Sequence, residues 1–167
     1  GSLPQSLAAN GDRVSVILPL YQSVADAWRD RLHFERYTYV RLAWRSLYCG
    51  LFSYEWQGVT WYFVDNEQYF KRPELYGYYD DGERFAYFSK ACLDAMVALE
   101  TAPNIIQCND WQTGLIPVYL KACYHDGILK KTRCMYTIHN IEYQGWANGN
   151  FFDDTLGPVS YTHLTLP

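Results

Sequence analysis

Short apolar runs alternate with amphipathic segments along most of the chain, a pattern typical of α/β proteins. The clearest case lies at positions 104–145. There an apolar run from Ile105 is followed by a helical segment that reaches Tyr124, and then by a second apolar run from Cys134. This order predicts a strand, a helix and a parallel strand. We therefore expect a βαβ unit on which the rest of the fold is organised.

Polar side chains follow both predicted strands of this unit. Asn109 and Asp110 come after the first strand, and His139 and Asn140 come after the second. Ligands of parallel α/β sheets bind beyond the carboxyl ends of the strands. Because neighbouring parallel strands end at the same edge, we expect these side chains to lie together in a binding site.

Two of these residues have simpler interpretations that the residues alone leave open. Asp110 could serve only to cap the following helix, whose N-terminus would otherwise offer free N–H groups to an acidic or hydroxyl-rich ligand. His139 could be a hydrogen-bonded core histidine at the end of a buried strand, or it could donate to a substrate hydroxyl or to developing negative charge.

The other segments predict helices and a group of aromatic-rich strands. Helices are expected at 2–10 and 84–99, a short helix or an irregular charged segment at 23–31, and a buried strand at 14–18. Further strands are expected at 36–42, 48–56 and 59–65, the last two joined by a tight turn at Gln57-Gly58. These three strands predict an antiparallel annex or an extension of the main sheet. A loop is expected at 69–79, and Asp80 with Glu83 predicts a capping box for the next helix.

Composition narrows the class of protein. The chain has 167 residues, 49% of them hydrophobic, and a formal net charge of −4, so nothing suggests binding to nucleic acid or to an anionic membrane. No apolar run is long enough to span a bilayer. The five cysteines form no CxxC pair and the four histidines are scattered. We expect reduced, buried thiols of a cytosolic protein and no metal site.

Several motifs resemble those of bacterial glycogen synthase and plant starch synthase. The segments that carry the resemblance are Ile105-Ile-Gln-Cys-Asn-Asp-Trp-Gln-Thr-Gly-Leu-Ile-Pro-Val-Tyr-Leu120, Tyr136-Thr-Ile-His-Asn-Ile-Glu-Tyr-Gln-Gly145, Asp65-Asn-Glu, Tyr69-Phe, Arg72-Pro, Leu75-Tyr-Gly77 and Asp80-Asp-Gly-Glu-Arg-Phe-Ala86. They agree in order and spacing over residues 1–155.

The resemblance implies one Rossmann-like half of a two-domain GT-B glycosyltransferase, with a largely parallel sheet flanked by helices. Such enzymes transfer glucose from ADP-glucose, a substrate rather than a cofactor, to the non-reducing end of an α-1,4-glucan with retention. By motif, His139 would contact the transferring glucose and support the transition state, and Asp110 would hold a sugar in the cleft. The implied substrate-binding residues are Asn109, Asn140, Gln144, Tyr69 and Tyr76.

The resemblance also implies missing parts. The family's first strand, its Lys-Thr-Gly-Gly loop and its C-terminal nucleotide-binding domain are not in this sequence. We therefore expect residues 1–157 to be part of the N-terminal catalytic domain and inactive alone. Residues 158–167 do not resemble the family's continuation, and we expect a non-native tail. A bacterial cytoplasmic origin is expected, with a plastid origin left open because the N-terminus is missing.

Two other functions fit the residues. The Tyr- and Trp-rich strands could form a non-catalytic α-glucan-binding module, because aromatic faces stack on sugar rings. Alternatively, the parent could be a related transferase with another nucleotide sugar as donor.

Overall fold

The computed structural model describes residues 2–145, 147, 151, 155 and 156. The chain divides into two compact units. The first unit comprises Gly1–Thr38 and Tyr48–Leu75, and the second comprises Tyr39–Leu47 and Tyr76–Pro167. Both units combine strands with helices, so the predicted α/β class is confirmed.

Most of a four-stranded sheet lies in the first unit, and its strand order is β1-β4-β3-β2. The strands are β1 (Val14–Pro19), β2 (His33–Leu42), β3 (Arg45–Trp56) and β4 (Val59–Asp65). Strands β1 and β4 are parallel, with Val14 opposite Val59, whereas β3 and β4 are antiparallel. This sheet is therefore mixed, and the prediction of a largely parallel sheet is wrong for it. A two-residue connection permits only antiparallel pairing, while the longer connection from β1 to β4 permits parallel pairing.

The turn between β3 and β4 has the predicted position and chemistry. Gln57 has a φ of 51° and Gly58 a φ of 73°, so both adopt the left-handed conformation that a type I′ hairpin turn requires. The aromatic-rich strands thus extend the main sheet, because β4 pairs directly with β1.

Helix α1 (Leu3–Ala9) has Pro4 in its first turn and is followed by Gly11, whose φ is 97°. The predicted helix is confirmed. The prediction that β1 is buried is wrong, because only Pro19 of this strand is buried. Strand β1 lies at the end of the described sheet order, where one of its long sides lacks a neighbouring strand.

Helix α2 (Gln22–Trp28) and a following 3-10 turn (Arg29–Arg31) correspond to the predicted short helix. The Trp28 ring packs edge-on against Tyr54, with centroids 5.7 Å apart. The predicted loop at 69–79 begins later than expected, because a one-turn helix α3 (Glu67–Phe70) buries the rings of Tyr69 and Phe70.

Helix α4 (Asp81–Ala98) forms much of the core of the second unit. Its buried residues are Arg84, Phe85, Ala86, Tyr87, Phe88, Ser89, Ala91, Cys92, Leu93 and Ala95. The predicted capping box is wrong, because the N-cap residue Asp80 makes no side-chain capping bond. Instead, the Asp81 carboxylate accepts the backbone N–H groups of Gly77 and Tyr78, and Glu83 forms an ion pair with Arg45 at 3.3 Å.

The predicted βαβ unit is confirmed in the second unit. Strand β5 (Ile105–Asn109) pairs in parallel with β6 (Arg133–Thr137), and helix α5 (Ile116–Cys123) connects them. Two details differ from the sequence prediction. The α-helix begins at Ile116, after a 3-10 turn (Trp111–Thr113), so its N-terminus is not at Asp110. Strand β6 is largely exposed, because only β5 pairs with it in the described sheet.

The five cysteines are free thiols. Cys49, Cys92 and Cys108 are buried, as predicted, whereas Cys134 is half-buried and Cys123 is exposed. Within the part of the chain that the structure describes, no group of His, Cys, Asp and Glu side chains is arranged to hold a metal ion. None of the described helices combines the length and the apolar character needed to cross a membrane.

Candidate functional site

The carboxyl ends of β5 and β6 are tied together by Asp110. Its Oδ1 atom accepts the backbone N–H of His139 at 2.7 Å and that of Asn140 at 3.4 Å. Its own N–H donates to the carbonyl of Thr137 at 2.9 Å. The predicted meeting of Asp110 and His139 at one edge of the parallel strand pair is therefore confirmed.

Asp110 has an unusual backbone conformation, with φ 55° and ψ −177°. Side chains other than glycine rarely adopt it, and it costs about 1–3 kcal/mol. The carboxylate makes no capping bond to the turn that follows, so the interpretation of Asp110 as a simple helix cap is wrong. The strained backbone instead directs this carboxylate across to the end of β6, where it orders the start of the following loop.

The His139 ring has its own partner on β5. Its Nε2 atom lies 3.0 Å from Oδ1 of Asn109. Because an amide oxygen only accepts, this contact assigns the proton of a neutral His139 ring to Nε2 and leaves Nδ1 as an acceptor. His139 is exposed, so the interpretation as a core histidine is wrong. The ring is oriented at the surface, where a ligand can reach it.

Asn140 and Gln144 lie in the same loop as His139, and both are exposed. The Asn140 Oδ1 atom accepts the N–H of Glu142 at 3.0 Å, and the Gln144 Nε2 donates to the carbonyl of Ile141 at 2.9 Å. These bonds brace the loop from within. Substrate binding by either side chain stays a prediction.

The two tyrosines that the resemblance implied differ in exposure. Tyr69 belongs to the first unit and is 1% exposed, so its ring packs inside that unit. Tyr76 belongs to the second unit and is 51% exposed, which makes its ring available for stacking. A contact of either ring with glucan stays a prediction.

A buried charge orders the loop that follows Tyr76. Arg84 on α4 has no exposed side-chain surface and forms an ion pair with Asp81, which also holds the N–H groups of Gly77 and Tyr78. The Arg84 guanidinium lies 4.9 Å from the centroid of the Tyr78 ring. Sequence analysis missed this arrangement, although the spacing of Asp81 and Arg84 is typical of a helical ion pair.

The side chains beneath the strand ends are not activated nucleophiles. Burial, with a smaller contribution from neighbouring Cys134, raises the pKa of the Cys108 thiol to about 12. Burial also raises the pKa of the Tyr136 hydroxyl, and the negative charge of Asp110 adds to this effect. Both groups therefore remain protonated at neutral pH, so the site offers positioned hydrogen bonds rather than a reactive thiolate or phenolate.

Trp111 follows Asp110 directly, and sequence analysis assigned no role to it. Its indole packs edge-on against Phe85 of α4, with ring centroids 4.9 Å apart and an interplanar angle of 80°. The turn around it is braced by Thr113, whose Oγ1 donates to the carbonyls of Asn109 and Asp110. The sequence feature that could have indicated a role for Trp111 is its position between a polar strand end and a helix.

A separate polar cleft of about 200 Å³ lies in the first unit, near the carboxyl ends of β1 and β4. Its charged side chains are Asp26, Arg29, Asp65, Glu67 and Lys71. Arg29 pairs with Asp65 at 3.2 Å and Lys71 pairs with Glu67 at 3.2 Å. The charges of four of these side chains are therefore already balanced within the cleft.

Two parallel strands that present polar side chains at their carboxyl edge place the second unit among the α/β ligand-binding folds. The family comparison is more specific. Residues 1–165 match the model of the starch synthase catalytic domain, so the chain belongs to that family. This match extends beyond residue 155, into the segment expected to be a non-native tail. That segment lies outside the described residues, and its origin stays a prediction.

Individual proteins agree with this assignment. The chain is 47% identical over 147 residues to a glycogen synthase of Clostridium botulinum strain Alaska E43, covering 87% of the chain and 31% of that protein. It is 41% identical over 157 residues to a glycogen synthase of Geobacillus stearothermophilus, covering 93% and 32%. The chain therefore spans about a third of the length of these relatives.

A solved structure shows the same fold. The catalytic domain of starch synthase IV from Arabidopsis thaliana, bound to ADP and acarbose, superimposes with a TM-score of 0.82 at 27% identity. The match covers 94% of this chain and 32% of that one. The α/β fold of the chain is therefore that of part of a GT-B starch synthase catalytic domain.

Proposed function

We propose that the protein to which this chain belongs is a glycosyltransferase that moves glucose from ADP-glucose to the non-reducing end of an α-1,4-glucan with retention. The observation that carries the proposal is the fixed pair of Asp110 and His139 at the strand ends of a chain of this family. ADP-glucose is then a substrate, and no bound cofactor is proposed. A bacterial cytoplasmic enzyme is proposed because the relatives named above are bacterial glycogen synthases.

The geometry suits a reaction that depends on positioning. Glucosyl transfer with a departing diphosphate passes through an oxocarbenium-like centre, which is stabilised by hydrogen bonds aimed at developing charge more than by a strong base. His139 is held through its backbone by Asp110 and through its ring by Asn109. We propose that this exposed ring contacts the transferring glucose. Asp110 acts mainly by fixing the loop, and its second carboxylate oxygen is proposed to hold a sugar hydroxyl.

The isolated chain is proposed to be inactive. Residues 1–157 would supply only part of the acceptor-side domain, and a transferase of this type needs an opposing domain to hold the donor in line with the acceptor. The direct test is to incubate the purified chain with ADP-glucose and glycogen and to measure glucose incorporation. Turnover well above that of a heat-denatured sample would contradict the proposed inactivity.

The activity of the parent can be tested in a hybrid enzyme. The chain replaces the matching segment of the Clostridium botulinum glycogen synthase, and transfer from ADP-glucose to glycogen is measured. We expect activity in the hybrid and a loss of at least about 100-fold in kcat for His139→Ala, the scale of removing one transition-state hydrogen bond. His125→Ala is the matched control, because that side chain is 62% exposed and pairs with Asp126, its neighbour in sequence, at 3.1 Å.

UDP-glucose and GDP-glucose are supplied to the hybrid in parallel with ADP-glucose, so that a lack of activity is not caused by the choice of donor. Full activity of the His139→Ala hybrid would contradict the proposed role of the ring. A folded hybrid that is inactive with all donors, and that still binds glycogen, would contradict the transferase proposal.

A second candidate is a non-catalytic α-glucan-binding module, and one observation favours it. Tyr37 and Tyr48 stack with ring centroids 6.2 Å apart and are 59% and 41% exposed, which gives the first unit an aromatic surface suited to sugar rings. Maltoheptaose titration of the isolated chain, followed by tryptophan fluorescence with and without ADP-glucose, tests it. Saturable binding that is independent of ADP-glucose and is lost in Tyr37→Ala supports this candidate. No change in fluorescence argues against it.

A further inference from the structure

The loop that carries His139 is held at both ends by two consecutive residues. At its start, the Asp110 carboxylate accepts the N–H groups of His139 and Asn140. At its end, Gly145 lies directly against the indole of Trp111. The loop at 139–145 is thus fixed to the end of β5 at two points, one polar and one apolar.

The contact at Gly145 leaves no room for a side chain. A Cβ atom built on Gly145 would collide with Cε3 of Trp111 and would lie 2.7 Å from its Cδ2 and 3.1 Å from its Cγ. Real Cβ atoms essentially never come within 3.0 Å of such an atom. Because Cδ2 and Cγ lie near the base of the indole, a small rotation of the ring tip would not relieve the clash. Gly145 also has a φ of 70°, which favours glycine independently of the contact.

Trp111 cannot easily yield, because its surroundings are packed. Its ring also packs edge-on against Phe85, which is 3% exposed and lies on the buried face of α4. The neighbouring backbone is held by Ser89, whose Oγ donates to the carbonyl of Gln112 at 3.3 Å. The indole is therefore a rigid support that joins the core helix to the loop.

Hydrogen bonds within the loop at 139–145 hold its residues together, so that the loop moves as one piece. Besides the side-chain bonds of Asn140 and Gln144, the N–H of Tyr143 donates to the carbonyl of Asn140 at 3.3 Å. A displacement of Gly145 is therefore transmitted along the loop towards His139, whose backbone N–H is held by the Asp110 carboxylate and whose ring is held by Asn109.

We propose that Trp111 is a positioning residue for His139 and that its contact with Gly145 sets the conformation of the loop at 139–145. Asp110 and Trp111 then act as a two-point clamp. The effect of the clamp on glucosyl transfer rests on the proposed function, whereas its effect on the loop does not.

The first test uses the isolated chain and hydrogen exchange measured residue by residue. In Gly145→Ala we expect the backbone N–H groups of His139 and Asn140 to exchange roughly tenfold faster, because the Asp110 bonds open more often when the loop is displaced. Gly127→Ala is the matched control. Gly127 has a φ of 79° but nothing within 4 Å of a Cβ, so it introduces the same backbone strain without the clash. We expect less than a twofold change there.

A double substitution separates the clash from the strain. In the Trp111→Ala background a Cβ on Gly145 has space, so Gly145→Ala should add no more to the exchange rates than Gly127→Ala does. Trp111→Phe, which keeps a flat ring, should retain part of the protection that Trp111→Ala loses. Equal effects of Gly145→Ala with and without the indole would overturn the proposal, as would unchanged exchange at His139 in Gly145→Ala.

The second test uses the hybrid enzyme described above. Gly145→Ala should lower kcat by about tenfold with a smaller change in KM for glycogen, because the ring of His139 is displaced while most of the binding surface is intact. If exchange is faster in the isolated chain but kcat of the hybrid is unchanged, the clamp is supported. The proposed role of His139 in transfer is then contradicted. Unchanged exchange would contradict the clamp whatever the activity.

Discussion

The Oδ1 atom of Asp110 and the backbone N–H of His139 are joined by a hydrogen bond of 2.7 Å that links residues 29 positions apart. This bond is made from a backbone conformation that costs energy in any residue except glycine. A strained residue whose side chain holds the start of an exposed loop is typical of functional sites, where local strain is maintained by the surrounding structure.

The strain at Asp110 gives the first prediction. Asp110→Ala removes the bonds to His139 and Asn140 but keeps the unfavourable φ, so we expect a loss of about 1.5 kcal/mol in the free energy of unfolding. Asp110→Gly loses the same bonds and relieves the strain. It should therefore be more stable than Asp110→Ala by about 1 kcal/mol, measured by urea denaturation.

The control for this prediction is Asp126, which is almost fully exposed and is not among the residues with positive φ. There, glycine should be no more stable than alanine, because no strain is relieved and the unfolded chain gains freedom. A similar ranking of the two variants at both positions would contradict the strain at Asp110.

The hairpin turn between β3 and β4 gives the second prediction. Gln57 adopts a left-handed conformation that asparagine tolerates better, so Gln57→Asn should stabilise the protein by about 0.5–1 kcal/mol. Gly58→Ala should destabilise it by about 1 kcal/mol, since its φ of 73° disfavours a Cβ although Ala8 leaves room at 3.7 Å. Thermal unfolding followed by circular dichroism measures both. A stabilising Gly58→Ala would show that the turn is not of type I′.

The buried charge of Arg84 gives the third prediction. Arg84→Met leaves Asp81 without its ion-pair partner, and we expect a loss of about 3 kcal/mol in the free energy of unfolding. The control is Lys71→Met, because the exposed pair of Lys71 and Glu67 should contribute less than about 0.5 kcal/mol. Chemical denaturation of both variants measures the two losses in the free energy of unfolding. Equal, small losses would contradict a structural role for the buried pair.

The protonation of Cys108 gives the fourth prediction, which concerns alkaline pH. The pKa of this thiol rises from 9.0 to about 12 on folding, so between these values the folded state keeps a proton that the unfolded state loses. The stability that this thiol contributes is therefore complete below pH 9 and is lost as the pH rises towards 12. The raised pKa values of the Tyr119 and Tyr124 hydroxyls act in the same direction.

Cys108→Ala isolates this contribution. The variant is less stable than the parent at pH 8 because it leaves a cavity, but the difference should narrow by about 2 kcal/mol at pH 10.5, because only the parent has the buried Cys108 thiol to titrate. Urea denaturation at the two pH values provides the comparison. A difference that is constant with pH would show that Cys108 titrates at the same pH in both states.

The hydrophobic pattern by itself predicted most of the elements and the meeting of Asp110 with His139. The apolar runs from Ile105 and Cys134 with a helix between them permit little except a parallel pair, and a parallel pair brings its carboxyl ends to one edge. The hairpin at Gln57-Gly58 could also be predicted from local sequence, because the turn type depends on which residues tolerate a positive φ. The family resemblance rested on the same local motifs.

Tertiary structure alone decided the features that depend on residues distant in sequence. It replaced the expected capping by Asp80 with the ion pair of Asp81 and Arg84, because burial of the guanidinium on α4 requires a carboxylate partner. It also placed Gly145 against Trp111, a contact that no periodicity encodes, since it arises only when two loops and a core helix pack together. Local pattern determines which elements form, whereas packing between elements determines which side chains within them are free to act.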